Sequence, residues 1–383
     1  VLRVNLRKRS SKALTKAFFT NHFVAKILAG GTEMVKLNDK FFGCIAASNI
    51  ASAMGAAVEG MDYWDIKEKY GVLEKLLPYN HYHHRDRLAG TTEDGIERQR
   101  LLTTAYIEKN GRISADDLKQ VWIRDINPDN FNKQLEPCDE ILYKLVKAGM
   151  PPRDVGHYSN YPGIVSFVRS CHPVGLMNAG NPEQAVRDAL DLGSMYQPYH
   201  AYALEWGAAY CAAIAEALKP TATLDSIINT ARNVLADVPR AEVDQGLEWA
   251  EQASNYEELR QLFYGRYNGR GVTYCMSMSH ELVTKGLALL KFIGGDPTRT
   301  IVAAVNFGRD TDCTAAIAAG LAGAFKGSAG IPEEWIKQVD QATEANQFTV
   351  SQRTLQETAD GLYRAYMAEL NKTAGIVKMM KEA

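Results

Sequence analysis

The run Asn306-Phe307-Gly308-Arg309-Asp310-Thr311-Asp312-Cys313-Thr314-Ala315-Ala316 places two carboxylates two residues apart, after a glycine and ahead of an Ala- and Gly-rich stretch. If that stretch is a helix, both acids converge near its N-terminus. Oxygen ligands of this kind suit a hard divalent cation such as Mg²⁺, which usually keeps some of its water. An Asp at a helix start also serves as a cap favoured by the helix dipole, so the pair needs companions before it counts as a metal site. Thr91-Thr92-Glu93-Asp94 supplies them, standing before a helical pattern with Ile96, Leu101, Leu102 and Ala105 that runs out near Gly111. Alone it reads as a Thr cap with acids that complement the dipole. Set against Asp310 and Asp312, these acids would repel one another and hold their protons unless cations neutralised them. Convergence of the two clusters therefore implies bound metal.

The elements that must position these groups are helical. Asn181-Pro182 has the form of a cap followed by Pro at the first helical position, with Ala185, Val186, Ala189 and Leu190 on one face. Ala201 to Leu218 is apolar almost all round and stops at Pro220, which marks an interior helix. Thr314 to Phe325 carries small residues that permit close helix packing, and Ile331-Pro332-Glu333-Glu334-Trp335 restarts a helix with acids in its first turn. Strand alternation is hard to find. The expectation is an all-α fold over about Met34 to Val350 with a helical tail to Ala383, so that residues 34–383 form one domain. Residues 125 to 165, rich in Pro, Asn, Asp and Tyr, read as a looped excursion. Residues 1–33 carry Arg3, Arg7, Lys8, Arg9, Lys12, Lys16 and Lys26 with no acid before Glu33, and are expected to be a dispensable basic extension.

Composition bounds the partners. The 383 residues are 46% hydrophobic, enough for a large core, and the formal net charge of -2 is spread along the chain. That balance gives no global case for nucleic acid or a membrane surface. The six cysteines, Cys44, Cys138, Cys171, Cys211, Cys275 and Cys313, lack CxxC spacing and are expected to be reduced thiols. A cytoplasmic setting follows as an expectation, or organellar import if the basic extension acts as a transit peptide.

Four ordered stretches resemble the ADP-ribosylglycohydrolase family. They are Phe42-Gly43-Cys44-Ile45 through Gly55-Ala56-Ala57-Val58-Glu59-Gly60, then Thr92-Glu93-Asp94, then Arg169 through Pro173-Val174-Gly175, and finally Asp310-Thr311-Asp312 with the trailing Ile331-Pro332 and Trp335. The resemblance implies an all-α fold and a cleft holding two Mg²⁺ ions, or Mn²⁺ in their place. It also implies hydrolysis of a glycosidic bond at the anomeric carbon of an ADP-ribosyl group. Carried over by position, Thr92, Glu93, Asp94, Asp310 and Asp312 are metal ligands with Glu59 beside them. Arg169, Tyr196, Gln197 and His200 fall on the substrate side. Either Glu59 or Glu93 handles the proton as the bond breaks through an oxocarbenium-like state.

Departures from the family pattern bear on the pocket. Ala51-Ser52 stands where the family has Gly-Asp, Glu93 and Gly95 where it has Asp and Thr, Cys313 where it has a metal-holding Thr, and Tyr196-Gln197 where it has Thr-His. A thiol is a poor Mg²⁺ ligand, so one metal position is expected to be altered and the substrate preference shifted. The function expected is a metal-dependent glycohydrolase acting on an ADP-ribosyl or related ribosyl conjugate. The rivals are a glycosidase for a nucleoside or other small glycoside, and a non-catalytic relative resembling lens crystallins. His81 to Asp86 and Gly265 to Gly271 are expected to be a solvated polar loop and a plain turn. His200 and Trp206 are expected in the core or the cleft wall.

Overall fold

Local signals in the sequence set the helix boundaries. Asn181 accepts from the Gln184 amide at 3.2 Å with Pro182 in the first turn, opening Pro182–Gly193. Asp310 caps its helix by accepting from the Cys313 amide at 3.2 Å. A computed structural model describes residues 35–81, 85–200, 202–268 and 276–382; the basic extension, and with it the expectation that it is dispensable, lies outside them. Within those residues are 17 α-helices and one short hairpin. Those that matter here are α1 (Leu37–Gly55), α2 (Asp94–Lys109), α3 (His172–Met177), α4 (Leu204–Ala217), α5 (Ser279–Ile293), α6 (Pro297–Val305), α7 (Thr311–Lys326) and α8 (Leu355–Glu382). The all-α expectation holds.

The core is built around α1 against α7. Their backbones approach so closely that a Cβ on Gly323 would run into the Gly43 carbonyl, a contact only glycine allows. Helix α1 is long and apolar enough to cross a membrane by length and composition, which the sequence reading passed over, yet most of it is buried inside the protein. It serves here as a core helix. Every residue of α4 is buried too, as its all-round apolar face requires. At the centre the His172 ring joins four helices, with Nδ1 3.0 Å from Gln99 Nε2 and Nε2 3.0 Å from Tyr210 Oη and 3.2 Å from the Ala316 carbonyl. Burial pushes this imidazole down to about 4, against the smaller opposing pull of the Ala316 carbonyl.

Three expectations are corrected. Residues 125–165 are not a simple loop, for Pro137–Lys147 and Pro152–Val155 are helices opened by proline at the first helical position. The polar stretch from His81 contributes to an antiparallel hairpin, β1 (Tyr79–His81) with β2 (Arg85–Arg87). Trp249, expected from its residue type to be a core side chain, is only half-buried, edge-on to Phe263. The tail is helical as expected. Its first half buries Leu355, Leu362 and Ala365, while Leu370, Ile376, Val377, Met379 and Met380 are exposed. The Gly265–Gly271 turn lies partly outside the described residues. The described cysteines, Cys44, Cys138, Cys171, Cys211 and Cys313, are all free thiols.

Candidate metal centre and cleft

The acid turn owes its shape to two successive left-handed residues, Gly308 (φ 84) and Arg309 (φ 67). A Cβ at Gly308 would collide with Tyr264. The turn is laced to the loop after α1: the Gly60 amide donates to the Arg309 carbonyl at 2.8 Å, and the Arg309 amide to the Met61 carbonyl at 2.7 Å. That ladder sets Glu59 beside the acids. Thr311 Oγ1 donates to the Gly55 carbonyl at 2.7 Å, and a Cβ on Gly55 would stand 2.6 Å from Asp312 Cα. The glycine ending α1 therefore lets the Asp310-Asp312 turn seat against it.

The second acidic stretch reaches the same place from α2. Glu93 is the residue before the helix, with extended backbone and no side-chain cap, while Asp94 Oδ1 accepts from the Gly95 amide at 2.9 Å. Glu93 Oε1 accepts from Tyr79 Oη, and the Glu93 amide donates to Ser52 Oγ at 3.4 Å. Asp94 pairs through Oδ2 with Arg98 Nη2 at 2.8 Å and through Oδ1 with Arg169 Nη2. Arg98 in turn holds Asp139 with Nε and Nη2, both at 2.7 Å. Thr92 is buried, and its carbonyl accepts from Gln134 Nε2 at 2.8 Å. Beside the acids is a cavity of about 350 Å³ whose wall includes Glu59, Asp94, Arg98, Cys138, Tyr161 and Arg169.

Electrostatics mark the acid turn as a place for a cation. Burial first, then the nearby charges of Glu59 and Asp310, push the Asp312 carboxyl well above the usual range, with Arg169 pulling the other way. Burial likewise pushes the Cys313 thiol up. One ligand atom each from Asp310, Asp312 and Cys313 lie within 4.8 Å of one another. Asp310 Oδ2 and Asp312 Oδ1 are buried with no hydrogen-bond partner. Two buried carboxylate oxygens without a partner are costly in a folded protein unless something completes them, and oxygen donors fit a hard divalent ion.

Comparison with known proteins decides the relationship. Residues 33–371 match the ADP-ribosylglycohydrolase family. The chain belongs to this family. An uncharacterized protein of Archaeoglobus fulgidus is 25% identical over 344 residues, 86% of this chain and 98% of the relative. The uncharacterized protein YegU of Escherichia coli K12 is 22% identical over 338 residues, 85% of this chain and 96% of its own. A chain of a solved ADP-ribosylglycohydrolase-related protein complex has a TM-score of 0.61 at 16% identity, covering 86% of this chain and 99% of that one, which shows the shared fold. The family is hydrolytic, and membership supports a protein of the glycohydrolase type.

The family's positions are not all brought together. Arg169 links Asp94 to Asp312, Asp310 stands beside Asp312, and Glu59 lines the same cavity as Asp94 and Arg169. Glu93 is turned to Tyr79. Tyr196 and Gln197, expected on the substrate side, are not among the cavity's lining residues. Tyr196 is fully buried, its ring 5.1 Å from that of Trp122 and 5.5 Å from that of Phe167. Gln197 is a clamp: Oε1 accepts from the Phe167 amide at 3.2 Å, and Nε2 donates to the carbonyls of Pro162 at 2.8 Å and Ile164 at 2.5 Å. It fixes the segment that supplies Ile164, Val165 and Ser166 to the cavity wall. His200 is exposed, accepting from the Tyr202 amide at 3.1 Å, and is not in the wall. Sequence reasoning missed Arg98, Tyr79 and Tyr161. Arg98 had a signal, since it stands four residues after Asp94 on a helix, and Tyr161 had a weak one in the Pro- and Tyr-rich stretch 125–165; Tyr79 had none.

Proposed function

We propose that this family member is a metal-dependent glycohydrolase that cleaves an ADP-ribosyl or related ribosyl conjugate by water attack at the anomeric carbon. The observation that carries this reading is the pair of buried, unpartnered oxygens on Asp310 and Asp312 beside a cavity of about 350 Å³. Asp310 and Asp312 would hold Mg²⁺ or Mn²⁺, with Glu59 close enough to shift Asp312. Such an ion, when bound, supplies Lewis acidity and a fixed place for ribose hydroxyls and water. The rest falls to the chain. Glu59, half-buried in the cavity wall, takes the proton from the attacking water, a role that suits it better than Glu93, which is buried and bonded to Tyr79. The carboxylates around the cavity favour positive charge at the anomeric carbon as the bond breaks. Tyr161, exposed at the mouth, offers a ring face to the leaving group or base.

A second reading, a nucleoside or other uncharged glycoside as substrate, draws on the two guanidinium groups in the wall. Arg98 is held by Asp94 and Asp139, and Arg169 by Asp94 and Asp312, so neither is turned toward a diphosphate. Specificity of this kind can shift by orders of magnitude when polar partners change. A panel of ADP-ribosylated peptides, ADP-ribosyl nucleic-acid ends and free nucleosides, assayed with Mg²⁺ and with chelator, separates the two. Turnover confined to nucleosides supports the second reading. No metal-dependent turnover of any compound would sink both and favour a non-catalytic descendant.

A further inference from the structure

The acid cluster already contains a cation of its own. The largely buried Arg169 side chain pairs with Asp94 Oδ1 through Nη2, while Nη1 lies 3.4 Å from Asp312 Oδ2 and 2.6 Å from Cys313 Sγ. Room for it comes from Gly95. A Cβ at that position would stand 2.5 Å from Arg169 Cδ and Nε and 2.6 Å from Cγ, so any side chain there forces the arginine stem to move. Once these contacts are made, both Asp94 oxygens are engaged, Oδ1 by Arg169 and Oδ2 by Arg98. Asp310 Oδ1 serves the Cys313 amide. Asp310 Oδ2 and Asp312 Oδ1 remain, buried and unpartnered.

We propose that this centre takes one divalent cation, between Asp310 and Asp312, and that Arg169 stands in for the second ion that the family resemblance implies. The proposal rests on the metal-dependent reading above. A second ion at Asp94 would have to take oxygens that two guanidinium groups hold, and would sit against their charge in a buried, weakly screened place. Two departures from the family pattern, Gly95 and Cys313, then have one explanation around Arg169, which the pattern shares. Gly95 opens the space, Arg169 fills it, and Cys313 accepts from the guanidinium instead of serving a hard metal.

Counting ions tests this without reference to turnover. The full chain, stripped of metal, is dialysed to equilibrium against Mn²⁺, its metal content measured and its paramagnetic resonance spectrum recorded. One Mn²⁺ per chain with the spectrum of an isolated ion is expected. Gly95→Ala, which removes the space for the arginine stem at a helical position where Ala is otherwise favoured, and Arg169→Met should each raise the count to two, with a spectrum of two coupled ions. Two coupled ions in the unaltered chain overturn the proposal and leave the metal-dependent reading intact. A count that stays at one in folded Gly95→Ala overturns the role given to Arg169. No bound Mn²⁺ in the unaltered chain overturns the metal-dependent reading and this proposal with it. If Arg169→Met does not fold, the unaltered chain and Gly95→Ala still decide.

Discussion

Two buried charge clusters stand side by side around residues 309 and 310, and they are built on opposite terms. In the first, Glu281 on α5 accepts from Lys285 Nζ and from Arg309 Nε at 2.8 Å with one oxygen, and from Arg309 Nη2 at 3.0 Å with the other. Each acid oxygen has a donor, and both cations have the same acid. In the second, Asp310 and Asp312 each keep one buried oxygen with no partner. A protein can bury charge for architecture only by completing it, and the Glu281 cluster does so. The neighbouring acids are left incomplete, which is the mark of a place reserved for something not in the chain. The peptide between Arg309 and Asp310 joins the two clusters, so the satisfied one holds the unsatisfied one in position.

The largest effect expected from this contrast is on stability alone. Glu281→Gln leaves Lys285 and Arg309 buried around a neutral amide and should cost about 3–5 kcal/mol. Denaturant melts with and without Mg²⁺ check it; a loss that Mg²⁺ fully restores would mean the first cluster is also a metal site. The His172 network provides a second architectural control. Its imidazole is held at about 4 in the fold against 6.5 for an ordinary histidine. The unfolded chain binds the extra proton first, so this contribution is complete above pH 6.5 and is lost as pH falls toward 4. The loss amounts to about 3 kcal/mol, and His172→Gln should flatten that slope in melts run across the window. A slope unchanged in the variant would assign the acid sensitivity elsewhere. The smallest effect belongs to the open cluster. Asp312→Asn removes one of several like charges from a dry site, and should raise the stability of the metal-free protein by on the order of 1 kcal/mol. The same change should abolish the rise in melting temperature that Mg²⁺ gives the unaltered chain. Destabilisation of the metal-free protein by Asp312→Asn would place Asp312 with the architectural acids.

What the sequence made legible follows from how local each signal is. The Asn181-Pro182 and Asp310 caps and the interior helix at α4 are all local patterns, and each falls where its pattern puts it. Residues 125–165 misled because Pro137 and Pro152 open helices, and proline in first position reads as easily for a loop as for a helix start. In the site, the acids could be read from spacing, and so could Arg98 four residues after Asp94, but the link made by Arg169 could not. Arg169 enters only because Gly95, far away in the chain, has no side chain to block it. Tyr196 and Gln197 were placed on the substrate side by position in a motif, whereas burial against Trp122 and Phe167 and a clamp on the 162–167 backbone decide their roles. Such facts belong to tertiary packing, which no window of sequence contains.

The central claim is that the incomplete acids at the start of α7 are the metal centre of a glycohydrolase. The most direct test takes the best substrate from the ribosyl panel, strips the full chain of metal, and follows hydrolysis as Mg²⁺ is added back. No turnover above background is expected without metal, and saturable recovery with it. Asp312→Asn should lose at least about 100-fold at any Mg²⁺ concentration. Turnover that is equal in chelator and in Mg²⁺, or that survives Asp312→Asn undiminished, would contradict it.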